Sequence, residues 1–210
     1  MAQTAWLLDA TRILTVSEVK KVLADLQRRA LRSINSWTNL VVFRLACCCG
    51  LRASEIAGIT LDDVRVNTEK PHIRVRAAVA KYGRARKVPL WWDGATLADL
   101  TTWKEFRVSK DYAKKTDPFV CTRSKSASGN ALHRNSVRSR FIRACRALDE
   151  TRREDLTVHD GRHSFVSHAL RAGRTLAEVK QAAGHSNIAT TSVYLHVAVE
   201  DDGKVGNLFG

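Results

Sequence analysis

Apolar residues recur with a helical period along most of this chain. Thr15-Val16-Ser17-Glu18 reads as a capping box, and Val19, Val22, Leu23 and Leu26 follow it as one stripe. Ser36 is placed to cap a second, strongly apolar helix through Leu40, Val41, Phe43, Leu45 and Cys48 that stops near Gly50. A short helix over residues 54–58 leaves Arg52 at the junction. The period then drops to two. Val64-Arg65-Val66, Ile73-Arg74-Val75-Arg76 and Arg86-Lys87-Val88-Pro89-Leu90 alternate, and Lys81-Tyr82-Gly83 offers a turn between the last two. These segments predict a small three-stranded antiparallel sheet. Helical spacing resumes over residues 95–106, and residues 122–130, rich in Ser, Lys and Gly, read as a loop. From Ser136 a basic helix is expected to bury Val137, Phe141, Cys145 and Leu148, with Arg138, Arg140, Arg143 and Arg146 off that stripe. Two more helices follow, one over residues 159–170 ended by Gly173, the other opened by Thr175-Leu176-Ala177-Glu178 and ended by Gly184. The pattern is α+β, mainly α.

Composition narrows the partners. The net charge is +14 over 210 residues, with a pI near 10.1, an excess that favours a polyanion, nucleic acid ahead of an acidic membrane surface. No stretch approaches the ~20 apolar residues of a membrane span, and the first residues lack the layout of a signal peptide. Five cysteines, three of them consecutive at Cys47-Cys48-Cys49 in an apolar run, suit reduced core thiols better than disulfides or a metal site. A cytoplasmic, nucleoid-associated protein is the expectation. No repeat or long linker divides the chain, so residues 1–210 are expected to form one domain, with a core over 14–197 and a tail over 198–210.

The candidate chemistry is spread along that domain. Arg52, Lys81, His159, Arg162, His185 and Tyr194 supply two guanidiniums to hold a phosphate, an amine and two imidazoles for protons and charge, and a phenol to attack. His159 and Arg162 lie three apart at a helix start, on one side of its first turn, where free N–H groups favour an anion. An isolated His-x-x-Arg is usually a surface pair, and a lone tyrosine near a C-terminus is usually packing; their company alters both judgements. His159 and His163 also have the i, i+4 spacing of a helical zinc site, but position 160 is Asp rather than Glu, and an arginine within the motif opposes a cation.

Four segments carry a family resemblance. Gly50-Leu51-Arg52-Ala53-Ser54-Glu55-Ile56, the stretch from Ala80 to Leu90 around Lys81, Thr157-Val158-His159-Asp160-Gly161-Arg162-His163-Ser164-Phe165, and Gly184-His185 through Tyr194-Leu195-His196 resemble, in order and spacing, the catalytic domain of tyrosine recombinases of the phage integrase type. The resemblance runs from about Thr15 to Val197. It implies a DNA breaking-rejoining fold, double-stranded DNA as substrate, and strand exchange through a covalent 3′-phosphotyrosyl intermediate on Tyr194. It implies that Lys81 protonates the leaving 5′-oxygen, with Lys87 of the same hairpin as the alternative, and that Glu55 orients the site. Arg84, Arg86, Lys87, Arg134 and Arg138 are the expected DNA contacts. The phosphotyrosyl ester conserves the energy of the broken bond, so neither a metal nor ATP is expected as a cofactor. Family members act as tetramers on DNA, and the tail with Val205, Leu208 and Phe209 is expected either to dock on a neighbour or to hang as a loose end.

Departures from the family pattern are Gly161, where Leu is usual, and Ala182-Ala183, where bulkier residues are usual. Both predict a less rigid site. Some fourteen residues precede the first helix, so the family's N-terminal clamping domain is expected to be absent, either from a minimal recombinase or because this is one domain of a longer chain. The competing readings are a type IB topoisomerase-like nicking and religating enzyme, and a non-catalytic DNA-binding remnant of a mobile element.

Overall fold

The computed structural model describes residues 9–123 and 128–195. The tail with Val205, Leu208 and Phe209, and residues 124–127 of the Ser-rich loop, lie outside them.

Helix α1 (Val16–Ala30) starts as expected. The Thr15 hydroxyl accepts from the Glu18 N–H at 3.1 Å, and Glu18 Oε2 accepts from the Thr15 N–H at 2.7 Å. Its buried Val22 and Leu26 face α2 (Ile34–Phe43). The cap of α2 is Ser33 rather than Ser36, because Ser33 is the extended residue and its hydroxyl accepts the Ser36 N–H. The helix then widens into a π turn over Arg44–Cys48, closed by the Cys49 N–H on the Arg44 carbonyl. Arg44, buried in this apolar run, is satisfied by Asp99 at 2.9 Å and Thr96 at 3.1 Å. Gly50 follows at φ 64°, where an added Cβ would stand 2.3 Å from the Phe165 ring, so the turn under that ring requires glycine.

Helix α3 (Ala53–Gly58) leads to the sheet. Strands β1 (Val64–Arg65), β2 (His72–Val75) and β3 (Arg86–Pro89) pair antiparallel in that order, with Val75 opposite Arg86 and Arg74 opposite Lys87. The alternation therefore sends Arg86 to one face of the sheet and Arg74 with Lys87 to the other. Helix α4 (Gly94–Ser109) is capped by Asp93 and outruns its expected end; its buried Trp103 donates to the Phe119 carbonyl at 2.8 Å. Helix α5 (Arg134–Ala144) begins before Ser136 because His133 caps it, and Cys145 and Leu148 are buried in the turn beyond it. Next come α6 (Glu150–Glu154), α7 (Val158–Arg171), α8 (Leu176–Ala183) and α9 (Ala189–Ser192). Helices α6 and α9 are too short to show a stripe in sequence.

The architecture is a mainly helical α+β domain with one small sheet. One large apolar cluster joins α1–α5 and the sheet, and a smaller one gathers Phe165, Val166, Ala169, Val179, Ala182, Ala183 and Tyr194. Among the described residues no helix is long and apolar enough to cross a membrane.

Candidate active site

The site is built around one fully buried carboxylate. Glu55, in the first turn of α3, accepts the Arg52 N–H at 2.9 Å and Arg52 Nη1 at 3.1 Å, so it caps its own helix and holds the Arg52 side chain. From β3, Arg86 reaches both Glu55 oxygens at 2.7 and 2.8 Å, a bidentate pair. Its Nε donates to the Ala182 carbonyl at 2.9 Å. Burial pushes the Glu55 carboxyl up, but the Arg86 hydrogen bonds and charge, aided by Arg52, outweigh it and hold the group below its ordinary value. Arg86 is thus a buried brace and not the exposed DNA contact expected of it. Its place beside Val88 on the inward face of β3 is the reason.

Arg162 arrives on α7, also buried. Nη1 donates to the Gly50 carbonyl at 2.6 Å and Nη2 to the Ala183 carbonyl. Burial, then the charges of Arg52 and Arg86, depress its pKa to about 9, with Glu55 and Tyr194 opposing. Three guanidiniums therefore crowd around Glu55, and the cluster is rich in positive charge.

Small residues make this approach possible. A Cβ on Gly161 would lie 2.9 Å from Cys47 Sγ, 3.1 Å from the Phe141 ring and 3.2 Å from the Ala46 Cβ. Gly161 thus marks close packing of α7 on the π turn, which corrects the expectation of a loosened site. Ala182 and Ala183 are buried and give their carbonyls to Arg86 and Arg162. Gly184 ends α8 at φ 69°, where a Cβ would press to 2.7 Å on Arg86 Cδ.

The imidazoles and the phenol complete the group. His159 is exposed on the first turn of α7; desolvation, then Arg162 and Arg52, lower its pKa. The start of α7 is already capped by a carboxylate, since Asp160 Oδ2 accepts the Thr157 N–H at 2.7 Å and Oδ1 pairs with Arg12 at 3.1 Å. His185 follows the Gly184 turn, and its Nδ1 lies 2.8 Å from the Thr191 hydroxyl. Burial, Arg162 and Arg52 drive its pKa down to about 3. Tyr194 is 5% exposed, its ring in the smaller cluster and stacked near His185 at 6.3 Å. Its hydroxyl is not sealed in hydrocarbon, because it meets His163 Nδ1. Burial raises the phenol to about 12, against the pull of Arg162.

The fold thus brings together Arg52, Glu55, His159, Arg162, His185 and Tyr194, and adds Arg86 and His163. In the sequence His163 stood out only as a half of a histidine pair. Its spacing from Tyr194 carries no periodic signal. Among the described residues no group of three or more His, Cys, Asp or Glu is arranged to hold a metal ion. Lys81 lies in an exposed 3-10 turn, Lys81–Gly83, on the connection between β2 and β3. Lys87 is exposed on the sheet face opposite Arg86. Arg84, Arg134 and Arg138 are exposed, so of the five expected DNA contacts only Arg86 is withdrawn from the surface.

Comparisons with known proteins give the family and the fold. The sequence model of the phage integrase family matches residues 12–201. The tyrosine recombinase XerD of Staphylococcus saprophyticus is 31% identical over 198 residues, covering 92% of this chain and 62% of that protein. The chain thus spans less than two thirds of the length of that relative. Among solved structures, XerA recombinase superposes with a TM-score of 0.70 at 18% identity, over 94% of this chain and 63% of that one. XerH recombinase, in a post-cleavage complex with a palindromic difH substrate, gives a TM-score of 0.68 at 19% identity, over 90% of this chain and 51% of that one.

Proposed function

The chain belongs to the phage integrase family, and from that premise we propose that it breaks and rejoins DNA strands through a covalent 3′-phosphotyrosyl intermediate, as a site-specific tyrosine recombinase. One observation carries the reading: Arg52 and Arg86 converge on the single carboxylate of Glu55, and Arg162, held by the Gly50 and Ala183 carbonyls, adds its charge, with His185 and Tyr194 beside them. A cluster so rich in cations favours an incoming anion. With Arg86 committed to Glu55, the scissile phosphate falls to Arg52 and Arg162, whose planar forks suit its non-bridging oxygens.

Each remaining group has a role. Tyr194 attacks phosphorus. Lys81 protonates the leaving 5′-oxygen; Lys87 is the weaker choice because its strand position turns it to the far face of the sheet. His159 and His185 hydrogen-bond the phosphate; burial first, and then the charges of Arg162 and Arg52, hold their pKa values down, and the incoming anion offsets the second of these. Double-stranded DNA is the partner, with Arg84, Lys87, Arg134 and Arg138 on phosphates and a tetramer as the working assembly.

A nicked suicide duplex tests this. The wild-type chain forms an SDS-resistant adduct, Tyr194→Phe forms none while retaining DNA binding, and an added 5′-hydroxyl strand is joined without ATP. An adduct that persists in Tyr194→Phe identifies another nucleophile. Relaxation of supercoiled plasmid without any recombinant product points to topoisomerase-like action instead.

A further inference from the structure

We propose that His163 Nδ1 aims the Tyr194 hydroxyl and takes its proton during attack, a role that rests on Tyr194 being the nucleophile. The hydroxyl must lose a proton as it bonds to phosphorus, and it ends at this imidazole. His185 turns its Nδ1 to Thr191, and His159 sits one turn earlier on α7 at the exposed end. The His163 and Tyr194 rings lie 5.7 Å apart and tilted by 34°, an arrangement that allows the in-plane nitrogen to meet the hydroxyl.

The step balances without an added reagent. The Tyr194 oxygen bonds to phosphorus, and the bond to the 5′-oxygen breaks with its electron pair on that oxygen. Lys81 supplies that oxygen's proton, and the phenolic proton passes to His163 Nδ1. On rejoining, a 5′-hydroxyl attacks and gives its proton to the Lys81 amine, while His163 returns its proton to Tyr194. His163 must therefore start neutral, with its proton on Nε2. Burial favours that state and Asp160 opposes it; His159, Arg162 and Arg12 favour it further, and His185 and Tyr194 complete the groups that face the ring.

The test uses the whole chain on nicked half-site duplexes selected from a random-sequence pool by binding to it. Each duplex is made with an ordinary or a 5′-bridging phosphorothiolate linkage, and adduct formation is timed. His163→Asn keeps an acceptor near the Nδ1 position but takes up no proton. It is expected to bind the duplex with wild-type Kd and to cleave about 10²-fold more slowly. The sulfur leaving group, which needs no acid, restores Lys81→Ala but leaves His163→Asn and His163→Ala slow. Free imidazole partly restores His163→Ala. On the sulfur substrate the wild-type rate falls with acidity as His163 is protonated below its ordinary pKa near 6.5, a limb that persists in His159→Gln and vanishes in His163→Asn. That limb is measured on the unaltered chain, so it survives any folding defect in the variants. Wild-type or faster cleavage by His163→Asn overturns the proposal, the faster result meaning that His163 restrains the phenol. Rescue of the His163 variants by sulfur overturns it too, by moving the defect to the leaving group. Absence of any adduct with the wild-type chain on every duplex overturns the nucleophile assignment as well, and so is told apart from failure of the His163 role alone.

Discussion

Glu55 and Asp63 are both fully buried carboxylates gripped by arginines, yet only Glu55 sits at the candidate active site. Asp63 accepts from Thr60, Arg74 and Arg76, and its neighbour Asp62 takes Arg65 and Arg74. Those arginine side chains are 37–42% exposed, and two acids share them. The arginines on Glu55 are 16% and 5% exposed, and a third guanidinium, Arg162, stands behind them. A buried acid with two arginines is therefore not in itself a sign of chemistry. The difference is the balance: near Asp63 three arginines that reach water face two acids, while near Glu55 three drier ones face one. Dry excess charge is what an incoming phosphate answers, because the interaction is weakly screened there.

The largest test of this contrast removes each acid. Glu55→Ala strands Arg86 and is expected to cost about 3–5 kcal/mol of stability, and to abolish cleavage in the molecules that remain folded. Asp63→Ala, with arginines that reach water, is expected to cost about 1–3 kcal/mol and leave cleavage per folded molecule unchanged. Chemical denaturation and adduct timing on the same samples separate the two; equal losses of cleavage would erase the distinction.

Gly161→Leu comes next. It restores the residue usual in the family and improves helix propensity by about 1 kcal/mol, but the space is occupied by Cys47, Phe141 and Ala46. Overpacking, typically about 1–3 kcal/mol, should win, giving a lower Tm and, since Arg162 is the next residue on α7, slower cleavage. A higher Tm would show that the helix and the π turn separate readily.

The effect confined to acid solution is in pH. Both carboxylates have folded pKa values below their ordinary ones, so their stabilisation is present above about 4.5 and 3.8 and is lost as acid protonates them. His185 adds a contribution at the active site alone. Its folded pKa of about 3 lies below the unfolded value of 6.5, so the unfolded chain binds more protons between them and stability falls as pH drops from 6.5 toward 3. His185→Gln should flatten the upper part of that decline, and Asp63→Asn should leave it intact. Thermal melts at closely spaced pH values read the difference.

Much of this was legible in the chain. The capping boxes at Thr15 and Thr175 and the alternation around Ile73 and Val88 produced the elements they promised. Arg86 was misread although the same alternation puts it with Val88, because an arginine in a basic protein suggests surface. Ser33 and Ser36 are both plausible caps on type alone, and only the backbone angle chooses between them. Gly161 looked like missing bulk because its neighbours Cys47 and Phe141 come from other elements. The contact of His163 with Tyr194 joins residues 31 apart across α8, and no local pattern encodes it.

The most direct measurement is a crystal structure of Tyr194→Phe bound to a nicked duplex. The non-bridging oxygens of the scissile phosphate should lie about 3 Å from the Arg52 and Arg162 guanidiniums, with the Glu55–Arg86 pair intact and the edge of the substituted ring facing phosphorus. A phosphate seated on Arg74 and Arg76 instead, or Arg162 turned away from it, would contradict the account.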